Sequence, residues 1–135
     1  MTLRSFCKAK IHKATVTGAD LEYIGSVAID ADLLKRTDIL PGEKVSVWNI
    51  NNGERIETYV IEAPAHSGAV ILNGAAARKF HSGDKIIIAT FVLSERPVAT
   101  QMILVDECNR FVSNLGDNQA LSSVLAALPL GVENE

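Results

Sequence analysis

KVSVWNINNGERIETYVIEA, residues 44–63, is the stretch whose reading decides the fold. Two runs rich in β-branched and aromatic residues, 44–50 and 54–63, flank Asn51-Asn52-Gly53. Strand formers joined through Asn-Gly predict an antiparallel hairpin, because Asn and Gly enter the left-handed backbone region at little steric cost. Along the second run, alternation places Arg55, Glu57 and Tyr59 on one face and Ile56, Thr58 and Val60 on the other. The default reading of the polar set is a solvated strand face.

Upstream, Leu40-Pro41-Gly42-Glu43 predicts a turn, and residues 31–37 a short helix with Asp30 as its N-cap and Leu33 and Leu34 on its buried side. Residues 4–16 alternate, with Cys7, Ala9 and Ile11 on one face and Lys8, Lys10 and His12 on the other, as a half-buried strand does. Residues 17–20 read as a turn, and 21–29 as two short extended pieces meeting at Gly25-Ser26. Downstream, residues 64–68 break the hairpin, AVILN (69–73) reads as a buried strand, and Asn73-Gly74 leads into a short helix over 75–80. KIIIATFVL (85–93) is apolar enough for a strand buried on both faces, and 98–106 predicts one more strand. Past residue 113 the pattern weakens; NQALSSVLAALPL (118–130) predicts a short amphipathic helix, followed by a mobile tail. Many short strands with few helices predict a compact, mainly β barrel carrying one or two short helices.

Composition narrows the function classes. A chain of 135 residues that is 47% apolar and 21% charged suits one globular domain. Its net charge of -3 argues against general nucleic-acid binding, which needs a clustered basic face. No apolar run approaches the ~18 residues of a membrane span, and the N-terminus has no apolar signal core. Cys7 and Cys108 form no C-x-x-C pair, so a reduced, cytoplasmic protein is expected. Phosphate-loop, dinucleotide, zinc-protease and hydrolase-elbow motifs are missing. His12, His66 and His81 lack metal-ligand spacing, so no metal is expected. Gly25-Ser26 alone reads as a turn or strand end.

Taken together, KIH (10–12), DLEYIGS (20–26), WNINNGER (48–55), TY (58–59) and NGAAA (73–77) resemble, in order and spacing, the pyruvoyl-dependent aspartate 1-decarboxylase family. MILVDECNRFV (102–112) resembles the family's last strand. The resemblance covers residues 1–112 and implies a six-stranded double-psi β-barrel there, with 113–135 an unassigned C-terminal extension. It further implies a homotetramer with sites at the subunit contacts. The implied reaction converts L-aspartate to β-alanine and CO₂ for pantothenate biosynthesis.

The family resemblance also implies that the chain cuts itself between Gly25 and Ser26, into 1–25 and 26–135, and that Ser26 becomes a covalently bound pyruvoyl cofactor. Glycine suits the first position because it lacks a Cβ, tolerates unusual φ and leaves its carbonyl open to attack. Serine suits the second because its oxygen must attack and then leave. Tyr59 is then the proton donor, since a phenol keeps its proton at neutral pH as a general acid must. Arg55 is the carboxylate clamp, Lys10 a second carboxylate-orienting cation, and Gly74, Ala75 and Ala76 backbone donors to the bound acid. Thr58 is implied to polarise the Gly25 carbonyl and then to contact substrate.

Alternation puts Arg55 and Tyr59 on one face but Thr58 on the other, so either a bulge re-aims Thr58 or the two faces serve different steps or subunits. His12 reads as structural or supporting, and Tyr23 and Trp48 as packing aromatics, with Trp48 a candidate pocket wall. Ile24 stands where several members of the family carry an acidic or other side chain, and the acyl shift does not need that side chain. The rival from another class is an unprocessed double-psi barrel that serves as a binding or assembly module. A second rival keeps the enzyme and exchanges aspartate for glutamate. Whether a maturation protein assists is not written in these motifs.

Overall fold

The hairpin forms as read. In a computed structural model that describes residues 1–22 and 25–115, β4 (Lys44–Asn49) and β5 (Arg55–Ala63) pair antiparallel from Lys44↔Tyr59 to Trp48↔Arg55. Asn49 N–H donates to the Glu54 carbonyl at 2.8 Å, and Gly53 N–H to the Asn49 carbonyl at 2.9 Å. Gly53 takes φ +77°, the left-handed conformation that the Asn-Gly signal foretold.

Around the hairpin lie β1 (Arg4–Thr15), β2 (Gly18–Asp20), β3 (Ser26–Asp30), helix α1 (Ala31–Thr37), β6 (Val70–Asn73), a 3₁₀ turn (Gly74–Arg78), β7 (Lys85–Ser94), β8 (Gln101–Val105) and β9 (Phe111–Asn114). Neighbours in the sheet run β2-β6-β3-β5-β4-β7-β1-β8-β9. β1 and β2 are one length of chain broken only at Val16-Thr17. There the Thr17 N–H donates to the Val70 carbonyl at 2.8 Å and the Val16 N–H to the Asp84 carbonyl at 2.9 Å, so one segment pairs on both sides. Counting β1–β2 as one member, the run from β2 round to β1 returns to its start and closes a six-member barrel.

Two contacts in this ring are parallel, β1–β2 with β6 and β3 with β5, and the other four are antiparallel. Exchanging the first three members for the last three leaves every neighbour and direction unchanged. The mainly β, six-stranded barrel expected from the sequence is therefore present, with the doubled crossing of a double-psi arrangement. β8 adds outside the ring, parallel to β1, and β9 pairs with β8.

The core is aliphatic: Ile11, Ile29, Leu72, Ile86, Ile88 and Ile103 are among the fully buried side chains, together with Phe80. Each such burial stabilises by about 1.5–3 kcal/mol. Two buried polar residues pin the loops around it. Asp30 caps α1 by accepting from Asp32 N–H at 2.8 Å, and it also accepts from His66 N–H at 2.9 Å and Gly68 N–H at 2.8 Å. Asn109 exchanges bonds with Thr15 (2.7 and 2.8 Å) and donates to the Gly68 carbonyl at 2.8 Å.

Burial alone pushes the Asp30 carboxyl up. The N–H groups of Gly68, Asp32 and His66, with the His66 charge, outweigh it and hold the pKa below the usual carboxylate value. A folded pKa below the unfolded one means stability that is present above about pH 3.9 and lost as pH falls through the folded value. Acid titration of the unfolding midpoint should show this loss, and Asp30→Asn should flatten that part of the curve while lowering stability at neutral pH.

Several details depart from the sequence expectation. Residues 18–20 are strand β2, not a turn; the reversal falls at Leu21-Glu22, where the Asp20 carboxylate takes the Glu22 N–H at 3.0 Å. Leu21 and Glu22 consequently form no extended piece before Gly25. β7 is buried on both faces only in its middle: Phe91 is 47% and Leu93 65% exposed, where β7 keeps β1 as a neighbour but its pairing with β4 has ended at Ala89. The helix expected over 75–80 is a 3₁₀ turn over Gly74–Arg78. Beyond the ring, β9 runs to Asn114, and the Leu115 N–H donates to the Met102 carbonyl at 2.7 Å. Tyr23, Ile24 and the predicted helix over 118–130 lie outside the described residues.

Candidate active site

β3 starts at Ser26, directly after the bend at Gly25. Ser26 is 1% exposed and lies opposite Asn73 in the antiparallel β3–β6 ladder. Asn73, itself buried, donates from Nδ2 to the Ser26 Oγ at 3.2 Å. A serine hydroxyl is thus held at a fixed place beside the Gly25 carbonyl group's residue. Sequence reasoning gave Asn73 no role, although an amide ending a buried aliphatic strand, VILN, was the available signal.

The parallel β3–β5 register begins at Val27↔Val60. Continued two residues back, it leads Gly25 alongside Thr58. The two residues do border one cavity of about 320 Å³, together with Asn73, Ala75, Ala76 and Ile56. No register shift occurs in β5 against either neighbour, so no bulge re-aims Thr58: plain alternation delivers it to Gly25. Glu57 and Lys79 also border the cavity, each already paired, with Lys44 at 3.2 Å and Glu54 at 3.1 Å.

Gly74 opens the 3₁₀ turn at φ +66°, where glycine avoids the strain an L side chain meets, and this turns Ala75 and Ala76 toward the cavity. Gly25 differs. A Cβ built there meets only the Asn73 carbonyl oxygen at 3.9 Å beyond its chain neighbours, so crowding does not demand glycine.

Arg55, Lys10 and Tyr59 are not at that cavity. The Arg55 guanidinium sits 4.7 Å from the centre of the Trp48 ring and the Lys10 ammonium 5.6 Å from it. Tyr59, 39% exposed, lies further along the same face of β5 as Arg55. His12 is half-buried in the row His12↔Ile87↔Trp48, and burial first, then Lys10 and Lys13, hold its pKa below the usual histidine value. No group of His, Cys, Asp and Glu among the described residues is placed to hold a metal ion.

The comparison that decides the family is direct: the model for the aspartate decarboxylase family matches residues 1–112. The chain belongs to that family.

Curated aspartate 1-decarboxylases agree in extent. The one from Carboxydothermus hydrogenoformans is 53% identical over 109 residues, covering 78% of this chain and 86% of the relative. That from Shouchella clausii is 46% identical over 121 residues (87% and 95%), and that from Myxococcus xanthus 51% over 113 residues (81% and 87%). Among solved structures, the rationally designed mkDPBB_sym_86 protein aligns at a TM-score of 0.43 and 18% identity over 60% of this chain and 94% of that one, too distant to bear on the site. For an aspartate decarboxylase family member, the arrangement has two parts: a buried serine with a cavity beside it, and two cations sharing one indole.

Proposed function

We propose that this chain is a self-processing aspartate 1-decarboxylase, a carboxy-lyase that converts L-aspartate to β-alanine and CO₂ and so supplies β-alanine for pantothenate. The observation that carries the reading is the buried Ser26 hydroxyl, held by Asn73 next to Gly25 and Thr58. In the processing step Ser26 Oγ attacks the Gly25 carbonyl carbon. The C–O bond forms as the C–N bond breaks, and the hydroxyl proton passes to the freed amine. Loss of the Ser26 α-proton then expels Gly25 as a carboxylate, and water hydrolyses the resulting dehydroalanine, releasing ammonia and leaving a ketone. Thr58 supplies a hydroxyl on the cavity side, suited to polarising the Gly25 carbonyl as charge develops on its oxygen.

The residues around Ser26 fit a pyruvoyl group: the position is shielded from water, has an amide donor, and adjoins space for a small acid. That group supplies an electron sink for the pair left behind when CO₂ departs. The chain's own residues do the rest. Arg55 holds the carboxylate that is retained, through its planar fork, and Lys10 adds a second positive charge. Gly74, Ala75 and Ala76 offer backbone N–H groups to the acid, and Tyr59 returns the proton to carbon.

Lys10, Arg55 and Tyr59 border a different part of the surface from the Gly25 cavity, which supports a site completed by a second copy of the chain, in a homotetramer. The free thiols, Cys7 half-buried and Cys108 exposed, suit a reducing cytoplasm. No helix among the described residues is long and apolar enough to cross a membrane.

Incubation of the purified protein with L-aspartate or L-glutamate, followed for CO₂ and amine product, tests the reaction and its acid. β-Alanine from aspartate is expected, and release of CO₂ from neither acid would overturn the reading. Tyr59→Phe should leave the self-cleavage intact and slow turnover by about 10²–10⁴-fold, the contribution of a positioned general acid. Unchanged CO₂ release would remove Tyr59 from that role.

A further inference from the structure

The register of the sheet places two cations around one aromatic ring. Trp48 lies directly across from Arg55 on β5, and from Ile87 on β7. Lys10 on β1 pairs with Ala89, which pairs in turn with Ser46, so Lys10 stands two rows along and two strands away from Trp48. Its side chain still reaches across β7 to bring Nζ within 5.6 Å of the ring centre, while the Arg55 guanidinium approaches to 4.7 Å. Both distances fall inside the range in which an aromatic ring attracts a cation. Lys10 and Arg55 carry like charges and repel each other; the shared ring is what offsets that repulsion and gives two long, flexible side chains a common anchor.

We infer that Trp48 is a positioning residue: its indole holds Lys10 and Arg55 as a pre-formed pair that receives the retained carboxylate of the substrate. This rests on the decarboxylase reading above and goes beyond packing, the role the sequence suggested for Trp48. Pre-ordering two cations lowers the entropy lost when a carboxylate binds, so the effect belongs in binding rather than in the bond-breaking step. It also belongs to carboxylate binding and not to self-cleavage, because Trp48 does not border the Gly25 cavity.

Trp48 is the only tryptophan of the chain, so intrinsic fluorescence reports on this ring alone. Titrating succinate, a dicarboxylate that cannot react, into the wild-type protein should change the emission saturably. Propionate at the same concentrations should do so much less, and Arg55→Met should abolish the succinate response. In turnover, Trp48→Leu should raise KM for L-aspartate about tenfold with kcat and self-cleavage near wild type, a loss of the size a partly desolvated cation–aromatic contact supports. Trp48→Phe, which keeps a ring face, should recover most of it.

Equal KM for the leucine and wild-type proteins would overturn the inference, as would equal impairment of the leucine and phenylalanine variants. An emission indifferent to succinate would do the same without any substitution at position 48. Failure of the wild-type protein to decarboxylate aspartate would instead overturn the underlying reading, and the succinate titration would still judge the pairing of Lys10 and Arg55 on the ring.

Discussion

Replacing Ser26 with alanine is expected to leave a single uncut chain and no turnover of L-aspartate. In the proposed self-cleavage the nucleophile and the later leaving group are one oxygen atom, so its removal stops every later step at once. The fold should survive. Ser26 contributes its backbone to the β3–β6 ladder, where Asn73 stands opposite, and alanine keeps that pairing. The cost includes the Asn73 bond to Oγ, about 1 kcal/mol for a hydrogen bond of this kind. A denaturing gel and a thermal melt, run together, check both halves: full-length protein, near-native midpoint. Scission in the alanine variant would show that some other group opens the chain.

The largest effect on stability is expected from Gly68→Ala. Gly68 holds φ +70°, and a Cβ there would lie 2.7 Å from the Cys108 carbonyl oxygen, a backbone atom. Neither side has room to give. Gly68 is bonded through its N–H to Asp30 and through its carbonyl to Asn109. The opposing turn is tied by Cys108 N–H to Asp106 Oδ1 at 2.8 Å and by Asn109 N–H to the Asp106 carbonyl at 2.9 Å. Left-handed strain plus a backbone clash should cost about 2–4 kcal/mol. Calorimetry should then show the midpoint falling by roughly 10 °C. Gly83 is the control: it has φ +94° with nothing within 4 Å of a built Cβ, so alanine there meets strain alone, about 1–2 kcal/mol. Equal losses at the two positions would mean that the contact with Cys108 yields freely.

The contrast between those glycines shows what the sequence could and could not disclose. Local signals carried well: the 44–63 hairpin, the Asp30 cap and the Gly42 turn depend on neighbours in the chain, and each appears where its residues put it. Barrel closure was harder to read, because it depends on one segment, 4–20, pairing with β6 through β2 and with β7 through β1, and a three-residue strand leaves little periodicity to detect. The outer half of β7 misled because Phe91 and Leu93 are as apolar as core residues, and composition does not say what covers them.

At the site, alternation separated Thr58 from Arg55 and Tyr59, and the structure keeps them separate. Thr58 lies with Gly25 at a cavity, and Arg55 with Lys10 on Trp48. Family motifs supplied the residues but not this division. Asn73 escaped notice for a different reason: its bond to Ser26 spans 47 positions of chain, and no local pattern encodes a contact of that range.

All of this chemistry depends on the peptide link between Gly25 and Ser26 opening unaided and leaving a keto acid at the new terminus. Intact-mass spectrometry of the purified native protein under denaturing conditions measures that outcome directly. The expected result is two species, 1–25 and 26–135, the larger lighter than its serine-headed sequence by one ammonia and inert to amine-directed N-terminal sequencing. A single species of full-length mass, sequenceable from Met1 and unbroken after Gly25, would contradict it.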